Sequence, residues 1–108
     1  MRLAILPLGI LLCLPLASAP CLQAQSDAAP IFKKNCTLCH SEDGSGGSST
    51  GKALKAKDLR SDEVQSKKDA ELVDVISKGR GKMPAFGSKL SADTVQSLVA
   101  YIRQLAKK

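Results

Sequence analysis

Cys36-Thr37-Leu38-Cys39-His40 is the stretch that decides the fold, and its spacing is unusual enough to argue from. Two thiols three residues apart on a helical turn can reach the two vinyl groups of one haem and form thioether bonds. The next residue then brings an imidazole, a common metal ligand, to the iron. The pattern C-x-x-C-H is that of covalent haem attachment, so Cys36, Cys39 and His40 are candidate cofactor-binding residues.

Three other interpretations of this stretch are weaker. A zinc site needs about four protein ligands, and only Cys36, Cys39 and His40 lie close together in the sequence. A thioredoxin-like redox pair is expected near a βαβ pattern, and no strand-like alternation is visible. Two ordinary buried cysteines would explain neither the spacing nor the export signal described below.

Met83 is the candidate second ligand of the iron. His40 is the only histidine, and Met83 is the only methionine besides Met1. Gly81 allows close approach of the backbone, and Pro84 keeps the following chain extended. A thioether ligand raises the reduction potential of a haem iron. The alternative, a methionine that fills a gap in the core, fits poorly in a loop rich in charge and glycine.

The first two dozen residues differ from the rest. Arg2 is the only charge before Asp27, and an apolar run over residues 3–16 is broken by two prolines and followed by small residues at 17–19. A positive start, a short apolar core and a small-residue exit indicate a secretory signal peptide. The alternative is a membrane anchor, but a spanning helix needs ~20 apolar residues.

The cleavage site is less distinct. Residues 17–19 fit the A-x-A pattern, but Pro20 would then be a poor first residue. Cleavage after Ala24 avoids this proline and also removes Cys21, and Pro20 directly before Cys21 argues against a lipoprotein signal. We therefore predict a cleaved signal peptide over residues 1–24 and a monohaem domain over residues 25–108.

The predicted mature chain is small and poor in bulky side chains. Removing Arg2 from a chain of net charge +6 leaves +5, and the aromatic residues number only three. A domain of this size buries only ~60–65% of its unfolded surface and is marginally stable. A large apolar cofactor would supply the missing core.

Three segments have helical periodicity. We predict helices over residues 28–40, 67–78 and 92–107, with Ser66 and Ser91 as the N-caps of the second and third. Gly79 is the predicted stop of the second helix. The predicted inward faces are Leu72, Val73 and Ile76 in the second helix and Val95, Leu98, Val99, Ile102 and Leu105 in the third.

The loops carry fewer signals. Residues 41–51 are rich in Gly and Ser, and nothing in them can build a core. Residues 44–47 superficially resemble a phosphate loop, but no strand precedes them and no Gly-Lys-Ser/Thr follows, so a flexible turn is expected there. Residues 79–89 contain several glycines and a proline, which predicts ordered, non-helical backbone. Residues 52–57 are a possible short helix, with Leu54 and Leu59 turned inward.

Taken together, these motifs resemble those of the class I cytochrome c family. The resemblance covers the C-x-x-C-H stretch, residues 69–76, the segment Gly81-Lys82-Met83-Pro84-Ala85-Phe86 and residues 98–103. It implies an all-α cytochrome c fold, with three main helices and short helical segments wrapped around one covalent haem. The first and last helices would cross through Phe32, Leu98 and Tyr101.

One departure from this family matters. Many members have a proline after the histidine, and its carbonyl orients the imidazole, but no proline lies between His40 and Met83. The acceptor that fixes the His40 tautomer is therefore left open by the sequence.

The basic residues admit three interpretations. A nucleic-acid surface is disfavoured because only three aromatic side chains could stack on bases. Solvated surface is the plain alternative. The sharper hypothesis is that four cations beside the Met83 loop steer acidic redox partners; these are Lys78, Arg80, Lys82 and Lys89.

We therefore expect a soluble, monomeric electron carrier with one haem c, periplasmic or otherwise exported. It is not expected to be an enzyme or to stay inserted in a membrane after the signal is cleaved. Two alternatives remain. A dedicated subunit of a larger oxidoreductase would co-purify with membranes. A peroxidase or gas-binding protein would need an open iron site, which ligation by Met83 would close.

Overall fold

A computed structural model describes the backbone of residues 21–108 and the side chains of residues 27–108. Its helices are α1 (Cys21–Asn35), α2 (Thr37–His40), α3 (Ser49–Leu54), α4 (Asp62–Gln65), α5 (Asp69–Lys78) and α6 (Ala92–Leu105). Within residues 21–108 the only β-pairing is an isolated bridge between Arg80 and Met83. The all-α class is thus confirmed. The predicted signal peptide lies mostly outside the described residues, and its removal after Ala24 stays a prediction.

Helices α1 and α6 pack against each other, as the resemblance to class I cytochromes c implies. The Phe32 side chain is only 2% exposed, and its ring lies 5.1 Å from that of Tyr101, centroid to centroid. Helix α6 begins where the Ser91 hydroxyl accepts a hydrogen bond from the Thr94 N–H. Its predicted inward residues are all buried, namely Val95, Leu98, Val99, Ile102 and Leu105. Burial of each such side chain contributes roughly 1.5–3 kcal/mol.

Helix α5 begins later than predicted. Lys68 occupies the N-cap position, and its side chain makes no capping hydrogen bond. Ser66 instead ends α4, with helical backbone angles (φ −78°, ψ −14°) and its N–H donating to the Asp62 carbonyl. An N-cap needs extended backbone, so the prediction that Ser66 caps α5 is wrong. Gly79 ends the helix as expected, and Leu72 and Ile76 are buried.

The predicted first helix, residues 28–40, is two helices in the structure. Helix α1 ends at Asn35, and Cys36 separates it from α2.

The short helix predicted over residues 52–57 begins and ends three residues earlier in the structure. Helix α3 covers Ser49–Leu54 and ends because Lys55 takes left-handed backbone angles (φ 55°, ψ 44°). Leu54 is 38% exposed, contrary to the inward orientation expected for it, whereas Leu59 is buried. Helix α4 was not predicted; the Ser61 side chain caps it.

Arg103 joins α6 to the segment between α4 and α5. Its Nη1 donates to the Gln65 carbonyl at 2.8 Å, its Nη2 donates to the Lys67 carbonyl at 2.6 Å, and its Nε donates to Asp69 at 3.1 Å. These bonds fix the stretch of chain that faces the site described next. No helix in residues 21–108 combines the length and apolarity needed to cross a bilayer.

Candidate haem site

Cys36 and Cys39 lie on one continuous turn that leads into His40. The Cys36 N–H donates to the Phe32 carbonyl at 2.8 Å, which ties the turn to α1. The His40 N–H donates back to the Cys36 carbonyl at 2.9 Å. Both cysteines are half-buried free thiols. Burial, together with the neighbouring Cys39, raises the pKa of the Cys36 thiol to about 11, so it is protonated at neutral pH.

The structure brings the predicted site residues together around one cavity of about 420 Å³. Cys36, Cys39 and His40 line it from one part of the chain, and Met83 lines it from the loop after α5. Most of the remaining wall is apolar and comes from Phe32, Leu59, Val64, Leu72, Ile76, Phe86, Leu98 and Ile102. This is a large apolar chamber lined by two thiols and by two side chains of types that can bind iron, the imidazole of His40 and the thioether of Met83.

The acceptor that orients His40 is the backbone carbonyl of Lys57, 3.0 Å from Nδ1. A carbonyl can only accept, so Nδ1 carries the proton and Nε2 keeps a free lone pair for a metal. Gly46 permits this contact, since a Cβ there would lie 2.7 Å from the Ala56 carbonyl oxygen. The sequence does not reveal Lys57 as the acceptor, because the acceptor is a backbone carbonyl, which every residue has.

The Met83 loop is a tight turn. The Arg80 N–H donates to the Met83 carbonyl at 3.2 Å, and the Met83 N–H donates to the Arg80 carbonyl at 2.9 Å. Farther along, the Phe86 N–H donates to the Ile76 carbonyl at 2.9 Å, which fastens the loop to α5. Residues 79–89 are therefore ordered and non-helical, as predicted.

Charged side chains surround the apolar part of the cavity, namely Lys55, Lys57, Glu63, Lys67, Arg80 and Lys82. The Lys57 ammonium lies 2.8 Å from the Glu63 carboxylate. Hydrogen bonding to Lys57 lowers the pKa of Glu63, so this carboxylate stays ionised. Of the four cations singled out in the sequence, Arg80 and Lys82 line the cavity, whereas Lys78 pairs with Asp74. Lys89 lies over the Phe86 ring.

Comparison with known protein families identifies the family to which the chain belongs. A family described as "Cytochrome C oxidase, cbb3-type, subunit III" matches residues 23–102. The chain belongs to this family of c-type cytochromes. This agrees with the resemblance to class I cytochromes c, and it means that the chain is an electron-transport protein with covalently bound haem c.

Two kinds of relative are similar to this c-type cytochrome. Cytochrome c6 of Microcystis aeruginosa is 38% identical over 84 residues, which cover 76% of this chain and 98% of the relative. The cbb3-type cytochrome c oxidase subunit FixP of Azorhizobium caulinodans is 36% identical over 83 residues. Those residues cover 76% of this chain but only 27% of FixP.

A solved structure shares the fold of this c-type cytochrome. The KustC0563 c-type cytochrome superposes with a TM-score of 0.67 at 26% identity. The superposition covers 72% of this chain and 95% of that one. The predicted cytochrome c fold is thereby confirmed.

The residues around the cavity fit a haem. The apolar wall suits its macrocycle, the two thiols suit thioether bonds, and the Nε2 lone pair and the thioether of Met83 are suitable iron ligands. When bound, haem c supplies one-electron exchange between ferric and ferrous iron.

Proposed function

We propose that residues 25–108 form a soluble, exported electron carrier. In this proposal Cys36 and Cys39 hold haem c by thioether bonds, and His40 and Met83 bind its iron. The observation that carries the proposal is that these four side chains line the same apolar cavity, although Met83 comes from a different loop.

The protein's own groups then have distinct tasks. The Lys57 carbonyl keeps the proton of His40 on Nδ1 and makes the imidazole a more basic ligand. Met83 would bind the iron and so keep peroxide and gases from it, which separates a carrier from an enzyme. The apolar wall excludes water. Leu38, between the two cysteines, is 71% exposed, so this edge of the site reaches the surface where a partner can dock.

The decisive test is Met83→Ala. The oxidised wild type should show the weak red charge-transfer band of a sulfur–iron bond, and the variant should lose it. The reduction potential should fall because the ferric state loses a ligand that disfavours it. The reduced variant should also bind carbon monoxide.

Lys82→Gln is the matched control, since it alters the neighbouring side chain and keeps the thioether. The measurements belong at neutral pH or below, because at high pH a neighbouring lysine, Lys78 or Lys82, could replace the lost ligand. Retention of both the band and the potential in Met83→Ala would refute the ligand assignment and favour the enzyme alternative.

Export and the monomeric state belong to the same proposal, and the signal-like residues 1–24 support export. Protein recovered from the periplasm should begin near Gln25, which N-terminal sequencing reports. It should sediment as a monomer. A retained N-terminus in the membrane fraction would contradict both points.

A second candidate is a dedicated subunit of a larger oxidoreductase. The family description and the similarity to FixP favour it. Purification from membranes under mild detergent distinguishes the two, because a subunit would co-elute with an oxidase and a free carrier would not.

A further inference from the structure

We propose that the Ser48 hydroxyl is a positioning group for His40, because it holds the short helix that carries the imidazole. The inference rests on the proposed function, in which His40 binds iron. It concerns residues 41–51, the Gly- and Ser-rich segment within which the sequence predicts a flexible turn at residues 44–47.

Helix α2 has four residues and cannot satisfy its own last carbonyls. Neighbouring groups satisfy them instead. The Leu38 carbonyl accepts a hydrogen bond from the Ser48 hydroxyl at 2.7 Å. The His40 carbonyl accepts one from the Gly46 N–H at 2.8 Å. The orientation of α2, and of the His40 ring on it, therefore depends on the segment that follows it.

Ser48 makes several of the hydrogen bonds that hold this segment. Its hydroxyl oxygen also accepts from the Gly51 N–H at 3.0 Å, which starts α3. Its own N–H donates to the Ser41 hydroxyl at 2.9 Å. One side chain thus connects a carbonyl of α2 to the first turn of α3, and its backbone connects to the residue directly after His40.

Two further observations show that this contact is tightly built. Ser41 has φ 65° and ψ 164°, a region almost restricted to glycine, and such angles persist only where the surroundings hold them. The bond from Ser48 to Ser41 is one such restraint. Gly51 packs so closely on α2 that a Cβ there would overlap the Cys39 carbonyl oxygen.

Loss of the Ser48 hydroxyl should therefore loosen α2 and weaken the bond from His40 Nδ1 to the Lys57 carbonyl. A weaker bond makes the imidazole less basic and stabilises the ferric state less. The expected signs are a more positive reduction potential and faster solvent exchange of the Nδ1 proton.

The experiment compares Ser48→Ala with Ser91→Ala in the haem-loaded protein. Both variants lose an N-cap, but Ser91 caps α6 and makes no bond to α2. Proton exchange at His40 Nδ1 is followed by NMR in the reduced state, and the potential by titration. We expect exchange to rise about fivefold in Ser48→Ala, the factor that corresponds to one ordinary hydrogen bond. Ser91→Ala should lose only stability, and Ser48→Thr, which keeps a hydroxyl, should restore both readouts.

Equal exchange rates and potentials in Ser48→Ala and Ser91→Ala would overturn the inference. If Ser48→Ala does not mature, Ser48→Gly serves in its place, because glycine is tolerated at an N-cap. The NMR spectrum of the wild type distinguishes a failure of this inference about Ser48 from a failure of the proposed function. His40 ring signals without the large shifts of a haem ligand would refute ligation itself, whatever the variants do.

Discussion

At the scale of single residues, Gly79 and Gly81 lie in the same loop, both with positive φ, yet they meet different requirements. At Gly79 (φ 73°, ψ 169°) a Cβ would lie 2.6 Å from the Met83 carbonyl oxygen and 2.9 Å from the Pro84 carbonyl carbon. At Gly81 (φ 56°) nothing lies within 4 Å of a Cβ. Only Gly79 is needed for the close approach of the Met83 backbone to the end of α5.

Gly79→Ala should therefore displace Met83, whereas Gly81→Ala should cost only the strain of left-handed backbone, about 1–2 kcal/mol. With Met83 as ligand, Gly79→Ala should weaken the red charge-transfer band and lower the reduction potential. Gly81→Ala should keep both and lower only the free energy of unfolding. Absorption spectra and denaturant titration of the two variants check this, and indistinguishable spectra would contradict it.

At the scale of elements, the predictable parts are those with local signals. Helix α6 has a serine cap and an apolar stripe of period 3.6, and both are where the sequence indicates. Helix α5 has the stripe too, but Ser66 was mistaken for its cap because α4, four residues long, ends there. Helices as short as α3 and α4 depend on contacts with distant segments, which periodicity does not report.

In the site, too, some groups can be recognised from the sequence and others cannot. Cys36, Cys39, His40 and Met83 are recognisable because their side chains bring the chemistry, and the fold brings all four to one cavity. The groups that orient them are mostly backbone: the Lys57 carbonyl at the His40 ring and the Gly46 N–H at the His40 carbonyl. A backbone group is the same in every residue, so the sequence cannot mark it.

The loop between α3 and α4, which carries the Lys57 carbonyl, should be stabilised by a contact that is lost at low pH, the one between Asp58 and Arg60. Hydrogen bonds from the Arg60 side chain and N–H lower the pKa of Asp58 below its ordinary value of 3.8. The stabilisation is therefore complete above this ordinary value and is lost as pH falls through the lower, folded value. Because the pair is partly exposed, its contribution should stay below about 1 kcal/mol.

Asp58→Asn should accordingly destabilise the protein at pH 7 and flatten the decline in stability below pH 3.8. Glu42→Gln is the control, since Glu42 meets Lys33 at a looser 3.8 Å. Denaturant midpoints at neutral and acid pH measure the difference. Parallel pH curves for wild type and Asp58→Asn would show that the pair contributes nothing.

At the scale of the whole molecule, the cavity of about 420 Å³ lies where a core would otherwise be. Its wall takes in buried side chains from α1, α4, α5 and α6, among them Phe32, Val64, Leu72 and Leu98. Without a ligand these side chains would face a void or water and lose much of their contact energy. The cofactor is therefore part of the core.

The haem-free chain should be largely unfolded. Protein made without the attachment machinery should show little helix by circular dichroism and no cooperative melting, whereas the haem-loaded protein should show both. Phe32→Leu in the loaded protein is a useful control, because it reduces the core by part of one ring and should leave a cooperative transition. A fully helical haem-free chain would contradict the prediction.

Charge around the cavity should govern the approach of partners. Electron transfer with an acidic partner should slow as salt rises, because screening shortens the reach of exposed charge to ~8 Å near physiological strength. Lys82→Gln should reduce both the rate at low salt and its salt dependence. Lys107→Gln, an equal change of charge beyond the end of α6, should have less effect. A flat salt curve would favour plain solvated surface.

The contact between α1 and α6 has a consequence for the speed of folding. These helices meet although nearly the whole domain lies between them in the sequence, and closing so long a loop is entropically costly and slow. Where His40 and Met83 both hold the iron, as proposed, they would be cross-linked through it, and that loop would be divided into shorter ones. Like a disulfide, this cross-link removes entropy from the unfolded chain. The haem that carries the electron would thus also speed the pairing of α1 with α6 during folding.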